Sequence, residues 1–326
     1  MTQTGVLNDA KMWQVKSMPE RPTGLFDARY RAFLETVSDV RVQLHRYCAR
    51  MTGSRLDGED LMQETLFEAY TKVETLDDAA RLKPWLFRIA HNRCIDFLRR
   101  RDARKRAESA YSDDIGLVVA EPATPDAHHA MELLVGYLPP KERACVLLKD
   151  VFDYSLEETA ELVDSTVGGV KSALARGRAK LAQLPAEPAG EPSRPLDPDA
   201  ARLLQRYVEL FNGHDWDGVR SLTSADARLR VADCFDGLLR NSPYFVEYER
   251  NPEPWTMEVG VIDGELVLLV LFRRDGQWEV AWPVRVHIGG RVIDRIRDYY
   301  ACPWVIGTAS ESDLTRMSRA GVSQDL

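Results

Sequence analysis

Five prolines lie within the fourteen residues 185–198, PAEPAGEPSRPLDP. Proline fixes φ and lacks a backbone N–H, so this stretch cannot continue a helix or a central strand. Such a composition is typical of an extended, semi-rigid linker. Apolar residues recur with a helical period before the linker, whereas β-rich runs dominate from about Trp255 onward. The 326 residues are therefore predicted to form a multidomain protein, with two all-α domains followed by an α+β domain.

A second interruption divides the helical part of the chain. Residues 107–127 are acidic, contain two prolines and have no sustained period, which indicates another linker. The predicted organisation is a flexible tail at 1–23, a helical domain at 24–106, an acidic linker at 107–127, a second helical domain at 128–184, the proline-rich linker at 185–198, the α+β domain at 199–305 and a tail at 306–326.

The first helical domain is predicted to contain three helices. A continuous apolar stripe from Leu25 to Met51 predicts one helix, which Gly53 ends as a C-terminal cap. Asp57 is predicted to cap the second helix, which exposes several polar side chains. These exposed residues are Asp60, Gln63, Glu64, Glu68 and Lys72. Pro84 favours the first turn of the third helix.

The third helix, residues 84–106, has an apolar side and a basic side. Its apolar stripe consists of Leu86, Ile89, Ala90, Cys94, Phe97 and Leu98. Its other side carries Arg88, His91, Asn92, Arg93, Arg99, Arg100 and Arg101. A basic face beside a packed one suits a helix that docks on its own domain and binds a polyanion. The alternative is a solvated charged face without a ligand.

The second helical domain has the pattern of a helix-turn-helix. Helices are predicted at 127–137 and 140–151, and Ser155 with Glu158 forms a capping-box pattern at the start of the next helix. Ser165 is predicted to cap a last helix, 166–184. That helix carries Lys171, Arg176, Arg178 and Lys180 and no acidic residue, so it is the candidate recognition helix.

Composition excludes several classes of protein. The formal net charge of −8 argues against a generally basic nucleic-acid coat, although local patches decide binding. Five cysteines without a CxxC pair suggest neither a zinc site nor a disulfide framework, which favours a reducing compartment, the cytoplasm. The N-terminus lacks a signal-peptide core, and the longest apolar run, 266–272, is too short to span a bilayer. No metal, cofactor or catalytic residue is expected.

Two strings resemble a known family. Asp60-Leu-Met-Gln63-Glu64-Thr65-Leu-Phe and Trp85-Leu-x-x-Ile89-Ala90-x-Asn92-x-x-x-Asp96-x-x-Arg99-Arg100 resemble the second conserved region of bacterial sigma factors of the extracytoplasmic-function branch. Residues 131–184 resemble the fourth region, through Leu138-Pro139, Glu142-Arg143, Ser155-x-Glu-Glu-x-Ala160-x-Leu162 and Val170-Lys171-Ser172-x-Leu174-x-Arg176-x-Arg178. Because the strings occur in the family's order and spacing, the match is specific.

This resemblance implies a transcription initiation factor without catalytic activity of its own, whose partners are core RNA polymerase and promoter DNA. The helix at 59–72 would dock on the largest catalytic subunit of the polymerase through Asp60, Gln63, Glu64 and Glu68. The loop and helix at 74–101 would bind and melt the minus-ten element, with loop 74–83 as a wall of the pocket for a flipped base. His91 and Asn92 are candidate base-edge contacts, Trp85 is a candidate for base stacking or for the core, and the candidate phosphate contacts are Arg88, Arg93, Arg99, Arg100 and Arg101.

The resemblance also implies that helix 166–184 enters the major groove of the minus-thirty-five element. Lys171 and Arg176 would reach base edges or phosphates, and Arg178 and Lys180 would contact the backbone. Thr166 and Ser172 complete this set of candidates. The chain departs from the family pattern at Gly168 and Gly169, which weaken the first helical turn and remove side chains where base contacts begin.

After the proline-rich linker, helices at 200–212 and 216–222 precede four strands predicted as an antiparallel meander at 257–262, 265–272, 277–288 and 291–299. This order resembles the cone-shaped nuclear-transport-factor-like, or SnoaL-like, fold. Some members of the sigma branch carry such an extension in place of an inhibitory protein, so we hypothesise that it contacts the sigma domains and regulates them. Two other functions of the whole chain remain open. The first is an isomerase or cyclase with accessory DNA-binding domains, in which His287, Asp294, Tyr299 and Asp233 would transfer protons. The second is a conventional transcription regulator that uses the helix-turn-helix alone.

Overall fold

The structure is a computed structural model that describes residues 28–76, 78, 81–109, 134–183, 197–306 and 315–316. The chain separates into two compact units, a helical one within Tyr30–Pro195 and an α+β one within Leu196–Thr308. The predicted tails and linkers lie mainly outside the described residues. So does most of the helix predicted at 127–137, of which 134–137 are helical. No described helix is long and apolar enough to cross a membrane.

The helical unit begins with four helices. They are α1 (Ala28–Thr36), α2 (Ser38–Thr52), α3 (Arg55–Lys72) and α4 (Leu82–Ser109). The single helix predicted up to Met51 is wrong, because Val37 leaves helical geometry at φ −100° and ψ 9° and separates α1 from α2. Gly53 has φ 82° and ends α2, as predicted. The N-cap of α3 is Ser54 rather than Asp57, because the Ser54 side chain accepts a hydrogen bond from the Asp57 backbone N–H.

Close approach of α2 and α3 depends on Gly58. A Cβ atom at this position would lie 2.5 Å from the backbone nitrogen of Ala49, far inside normal contact distance. Leu56, Leu61, Met62 and Leu66 of α3 are buried in the resulting core. The apolar stripe of α3 is thereby placed against α2 by a residue without a side chain.

Three further helices of the helical unit lie within residues 140–181. They are α5 (Pro140–Val146), which continues as a π-helical turn over Leu147–Val151, α6 (Leu156–Leu162) and α7 (Val167–Leu181). The capping box of Ser155 and Glu158 is present on α6, as predicted. The N-cap of α7 is Thr166 instead of Ser165, because the Thr166 side chain accepts a hydrogen bond from Gly169 N–H.

The two helical domains pack against each other within this unit. Phe87 of α4 contacts Phe152 and Tyr154 with ring centroids 5.5 and 5.4 Å apart, and Tyr47 of α2 contacts Phe152 at 5.9 Å. At one side of this aromatic cluster, Arg81 forms an exposed ion pair with Glu161 at 3.0 Å. The contact therefore joins the domain of the Arg-rich helix to the domain of the helix-turn-helix.

The α+β unit places three helices beside a seven-stranded sheet. The helices are α8 (Pro198–Asn212), α9 (Trp216–Ser221) and α10 (Tyr244–Glu249). The strands are β1 (Thr223–Val231), β2 (Phe235–Leu238), β3 (Trp255–Ile262), β4 (Glu265–Arg274), β5 (Gln277–Gly289), β6 (Val292–Asp298) and β7 (Thr315–Arg316). Their order in the sheet is β2-β1-β6-β5-β4-β3-β7, and β1 runs parallel to β6 while the other pairs are antiparallel.

The predicted four-stranded meander is confirmed as β3 to β6, whereas α10, β1, β2 and β7 were not predicted. Helix α8 is held to the sheet by Asn212, whose side chain exchanges two hydrogen bonds of 2.9 Å with the backbone of Met257. The core between helices and sheet is rich in aromatic side chains, including Tyr207, Phe211, Tyr244 and Tyr248. This is the helices-over-sheet architecture that the sequence predicts for the third domain.

Candidate nucleic-acid interface

The predicted apolar stripe of α4 is largely confirmed. Leu86, Ala90, Cys94 and Leu98 are buried, while Ile89 and Phe97 are half-buried. Phe87, which the sequence analysis missed, is fully buried against the aromatic cluster of the second helical domain. A second apolar residue directly after Leu86 widens the packed side of the helix, and this was the available signal.

The exposed side of α4 borders an open groove of about 550 Å³ between α3 and α4. Asn92, Arg99 and Arg100 are exposed in it, and Arg88 is exposed on the same helix. The complete lining consists of Glu68, Ile89, Asn92, Arg93, Asp96, Arg99 and Arg100. A half-buried apolar floor with amide and guanidinium groups at its rim has the chemistry to receive a base and its phosphates.

Arg93 lines this groove, but its guanidinium forms ion pairs with two carboxylates of α3. Its Nε donates to Glu68 at 2.8 Å, and its Nη1 donates to Glu64 at 3.2 Å. Hydrogen bonds from Lys72 and then from Arg93 lower the pKa of Glu68, against the opposing effect of desolvation. Arg93, a candidate phosphate contact, and Glu64 and Glu68, two candidate polymerase contacts, thus form one ion-pair cluster.

His91 and Arg101 are not placed as the sequence analysis expected. His91 is buried, and its Nδ1 forms a hydrogen bond of 2.9 Å with the hydroxyl group of Tyr47. Burial lowers the pKa of His91 to about 4, so the ring is neutral at physiological pH. The predicted position of His91 on the exposed basic side of α4 is therefore wrong, and its contact with a base edge stays a prediction. Arg101 is half-buried, because its Nη1 donates to the Thr52 carbonyl at 2.7 Å at the end of α2.

The predicted exposure of Asp60 and Gln63 is also wrong. Their exposed fractions are 8% and 3%, and Gln63 Nε2 donates to Glu59 at 2.9 Å within α3. Both residues lie on the side of α3 that neighbouring helices cover. The hydrophobic pattern of α3 alone does not predict this burial, because both side chains are polar. Glu64 and Glu68 are partly exposed, with side-chain exposures of 34% and 23%. Trp85 is half-buried, and loop 74–83 is described at 74–76, 78 and 81–83.

In the second helical domain, Thr166, Lys171 and Ser172 are exposed at the start of α7. Ser172 Oγ donates to the Gly168 carbonyl at 2.9 Å, a hydrogen bond within the helix. Lys171 has no charged partner in the described part of the chain. The first turn of α7 forms despite its two glycines, since the Thr166 cap satisfies one of its free N–H groups.

The remaining cations of α7 are paired with α5 and the π-helical turn after it. Arg176 and Lys180 each contact Glu142 at 2.8 Å, and Arg178 forms a bidentate pair with Asp150 at 3.0 and 2.5 Å. Hydrogen bonds from Lys180 and then Arg176 lower the pKa of the buried Glu142 carboxyl. The sequence did not predict that Glu142 and Asp150 orient these cations. The available signal was a basic helix without acidic residues of its own, which calls for carboxylates on a neighbouring element.

The enzyme alternative placed four residues around a pocket of the third domain. His287 Nδ1 does contact Asp294 at 2.6 Å. However, Val286 and Ile293 face the core, so this pair lies on the outer face of the sheet rather than inside the cone. The buried acid is instead Asp298, which accepts hydrogen bonds from the hydroxyl groups of Tyr244 and Tyr248 at 2.8 and 2.9 Å.

Comparisons with known proteins agree with the helical unit. The Sigma-70 region 2 family matches residues 36–104, and the Sigma-70 region 4 family matches residues 128–181. The ECF RNA polymerase sigma factor SigG of Mycobacterium tuberculosis is 31% identical over 227 residues, covering 62% of this chain and 61% of that protein. SigW of Bacillus subtilis, another ECF sigma factor, is 32% identical over 162 residues, covering 46% of this chain and 87% of that protein.

Among solved structures, the extracytoplasmic function sigma factor SigJ of Mycobacterium tuberculosis is 16% identical with a TM-score of 0.32, covering 83% of this chain and 98% of that chain. The helical unit, with its groove, carries two basic helices on separate domains. The chain belongs to the family of ECF RNA polymerase sigma factors. It spans 61% of the length of the SigG relatives it matches.

Proposed function

We propose that this chain binds core RNA polymerase in the cytoplasm and directs promoter recognition, DNA melting and transcription initiation. The groove between α3 and α4 carries the proposal, because it sets exposed Asn92, Arg99 and Arg100 beside the half-buried Ile89. Melting a base pair costs on the order of a few kcal/mol, which stacking and phosphate contacts at such a groove offset. The chemistry of RNA synthesis belongs to the polymerase.

Contacts to the polymerase are assigned to α3. Glu64 and Glu68 are its partly exposed carboxylates, and both already bind a guanidinium, which supports their ability to bind basic groups of a partner. At the minus-thirty-five element, Lys171 and Ser172 are the exposed side chains of the first turns of α7. Arg176, Arg178 and Lys180 reach phosphates while Glu142 and Asp150 fix their orientation.

The double variant Arg99→Ala/Arg100→Ala is expected to weaken open-complex formation with core polymerase. Losing two phosphate contacts reduces the slope of log affinity against log salt by about 1.4 to 1.8. The slope is measured from permanganate footprints of the melted strand at 50 to 200 mM salt. Arg31→Ala/Arg46→Ala is the matched control, because it removes two exposed arginines from α1 and α2. Equal salt slopes for the two double variants would contradict the proposal that DNA binds in this groove.

We also propose that the α+β domain regulates the helical unit within the same chain. Its fusion through a linker with five prolines supports this, because a short tether keeps the local concentration of the domain high. A chain ending at Pro185 is expected to change run-off transcription from a chosen promoter relative to the full chain. The full chain cleaved in a protease site inserted at Ala189 is the control for loss of tethering alone. Unchanged activity and promoter choice after both treatments would contradict regulation.

A further inference from the structure

Six basic side chains form two rows across three neighbouring strands of the α+β domain. In the register of β1, β6 and β5, Arg228 lies opposite Arg295 and Arg295 opposite His287. Two residues along, Arg230 lies opposite Arg297 and Arg297 opposite Arg285. We call this set the basic block: Arg228, Arg230, Arg285, His287, Arg295 and Arg297.

All six side chains leave the same face of the sheet. Successive residues of a strand point to opposite faces, and residues opposite each other across strands point to the same face. The intervening residues Leu229, Val286 and Ile296 belong to the core between sheet and helices. The basic block therefore lies on the face opposite that core. Arg228, His287 and Arg295 are exposed, and the other three are half-buried.

Three carboxylates contact outer members of the basic block. Asp236 of β2 contacts Arg228 at 3.0 Å, and Glu265 of β4 contacts Arg285 at 2.6 Å. Asp294 contacts His287 at 2.6 Å near the β5–β6 turn. Within the described part of the chain, no carboxylate lies within ion-pair distance of Arg230 or Arg295.

This arrangement works against the stability of the sheet. Like charges directly opposite each other on neighbouring strands are destabilising. Arginine lies opposite arginine at Arg228/Arg295, Arg230/Arg297 and Arg297/Arg285. The chain as a whole has a formal charge of −8, so the local excess of arginine does not follow from composition. Clustering of this kind is expected where an external anion neutralises the charge.

We propose that the basic block binds the phosphate backbone of duplex DNA. Neighbouring members of a row are about 4.8 Å apart across the strands and the two rows are about 6.7 Å apart along them, so arginine forks reach several phosphates of a regular polyanion. A protein partner would call for an apolar centre among the charges, whereas phosphate contacts need only charge and donors. The surface goes beyond the proposed function, because it lies outside both helical domains.

The test measures binding of the full chain, without polymerase, to a fluorescent duplex that lacks promoter elements. Arg230→Ala/Arg295→Ala is compared with Arg202→Ala/Arg206→Ala, a matched pair on the exposed side of α8. Removing two phosphate contacts lowers the salt slope by about 1.8, so the loss of affinity from 50 to 200 mM salt becomes about twelvefold smaller. The α8 pair is expected to keep the slope of the unmodified chain. Arg230→Lys/Arg295→Lys retains the charge and is expected to restore the slope, which separates binding from folding.

Equal slopes for the sheet pair and the α8 pair would overturn the proposal. So would loss of affinity for core polymerase with an unchanged DNA slope, because the partner would then be an acidic protein surface. Neither arm uses a promoter or transcription, so failure of the initiation function leaves this measurement interpretable. Photocrosslinking from modified phosphates, read by mass spectrometry, is expected to label peptides of β1, β5 and β6.

Discussion

Replacing Arg143 with alanine is expected to lower the free energy of unfolding of the helical unit by about 3–5 kcal/mol. The Arg143 side chain is buried, with an exposed fraction of 3%. Its guanidinium donates to the carbonyls of Leu134, Val135 and Leu138 at 3.2, 2.9 and 2.8 Å, and also to the carbonyl of Met51. Alanine would remove this donor from the buried carbonyls of Met51 and Leu138 and from the part-buried carbonyl of Val135, whereas the Leu134 carbonyl keeps the backbone N–H of Leu138.

The Met51 contact makes this residue a bridge between the two helical domains, because the other three carbonyls lie in the segment before α5. Burial, the main cause, lowers the pKa of Arg143 to about 10, so the group remains charged at neutral pH. Urea unfolding followed by circular dichroism measures the change. Hydrogen exchange of peptides covering α2 is expected to accelerate in the same variant.

Two further variants sharpen this measurement. Lys141→Ala removes an exposed cation from the same helix and is expected to change stability by less than about 0.5 kcal/mol. Arg143→Lys keeps the charge but offers three donors on one atom instead of a planar fork, so it should recover only part of the loss. An Arg143→Ala chain as stable as the Lys141→Ala chain would show that the carbonyls find other donors.

Sequence patterns predicted the features that depend on neighbours along the chain. The Ser155 capping box, the Gly53 cap and the apolar stripe of α4 each involve residues within one or two helical turns. The β3–β6 meander is similarly local, since each strand pairs with the next through a short turn. In these cases the residues that interact lie close together in sequence, within the short stretch whose hydrophobic period predicts the element.

The errors occurred where a distant part of the chain decides the environment. His91 has a polar partner, Tyr47, 44 residues away, so its position on the basic side of α4 did not predict its burial. Strand β1 pairs in parallel with β6, more than 60 residues later, without a turn between them. Its alternation of Ala227, Leu229 and Val231 with two arginines was nevertheless a strand signal that could have been used. Element type was thus more predictable than the depth at which a side chain lies.

In the α+β domain, the second large effect is expected from Asp298. Its carboxyl is 2% exposed and accepts hydrogen bonds from Tyr244, Tyr248 and the backbone N–H of Tyr300. Desolvation raises the pKa of Asp298 from its ordinary 3.8 to about 6, although these hydrogen bonds lower it in part. The folded domain therefore binds a proton more tightly than the unfolded chain does.

The sign of the pH dependence follows from this difference. Well below pH 3.8 the carboxyl is protonated in both the folded and the unfolded state, and the stabilising contribution is fully present; it is lost as the pH rises from there through about 6. A difference of about two pKa units corresponds to about 3 kcal/mol. In the Asp298→Asn variant this contribution is absent at every pH, because the amide does not ionise. The variant also replaces one carboxyl oxygen by an NH2 group. Because Tyr244 and Tyr248 share Oδ2 while the Tyr300 N–H uses Oδ1, either the tyrosines or this N–H lose their acceptor, which adds a destabilisation that is independent of pH.

The informative quantity is therefore the difference in unfolding free energy between the unmodified chain and Asp298→Asn, measured at pH 4, 5, 6 and 7. We expect this difference to shrink by about 2.4 kcal/mol from pH 4 to pH 7, because part of the contribution is already lost at pH 4. Urea unfolding followed by tryptophan fluorescence provides the measurement, because Trp282 belongs to the core of this domain and Trp255 packs against it. Asp217→Asn, whose side chain is 96% exposed, is the control and should follow the unmodified chain. A constant difference across the series would mean that Asp298 keeps its ordinary affinity for protons, and that the two tyrosine hydroxyl groups fully compensate its removal from water.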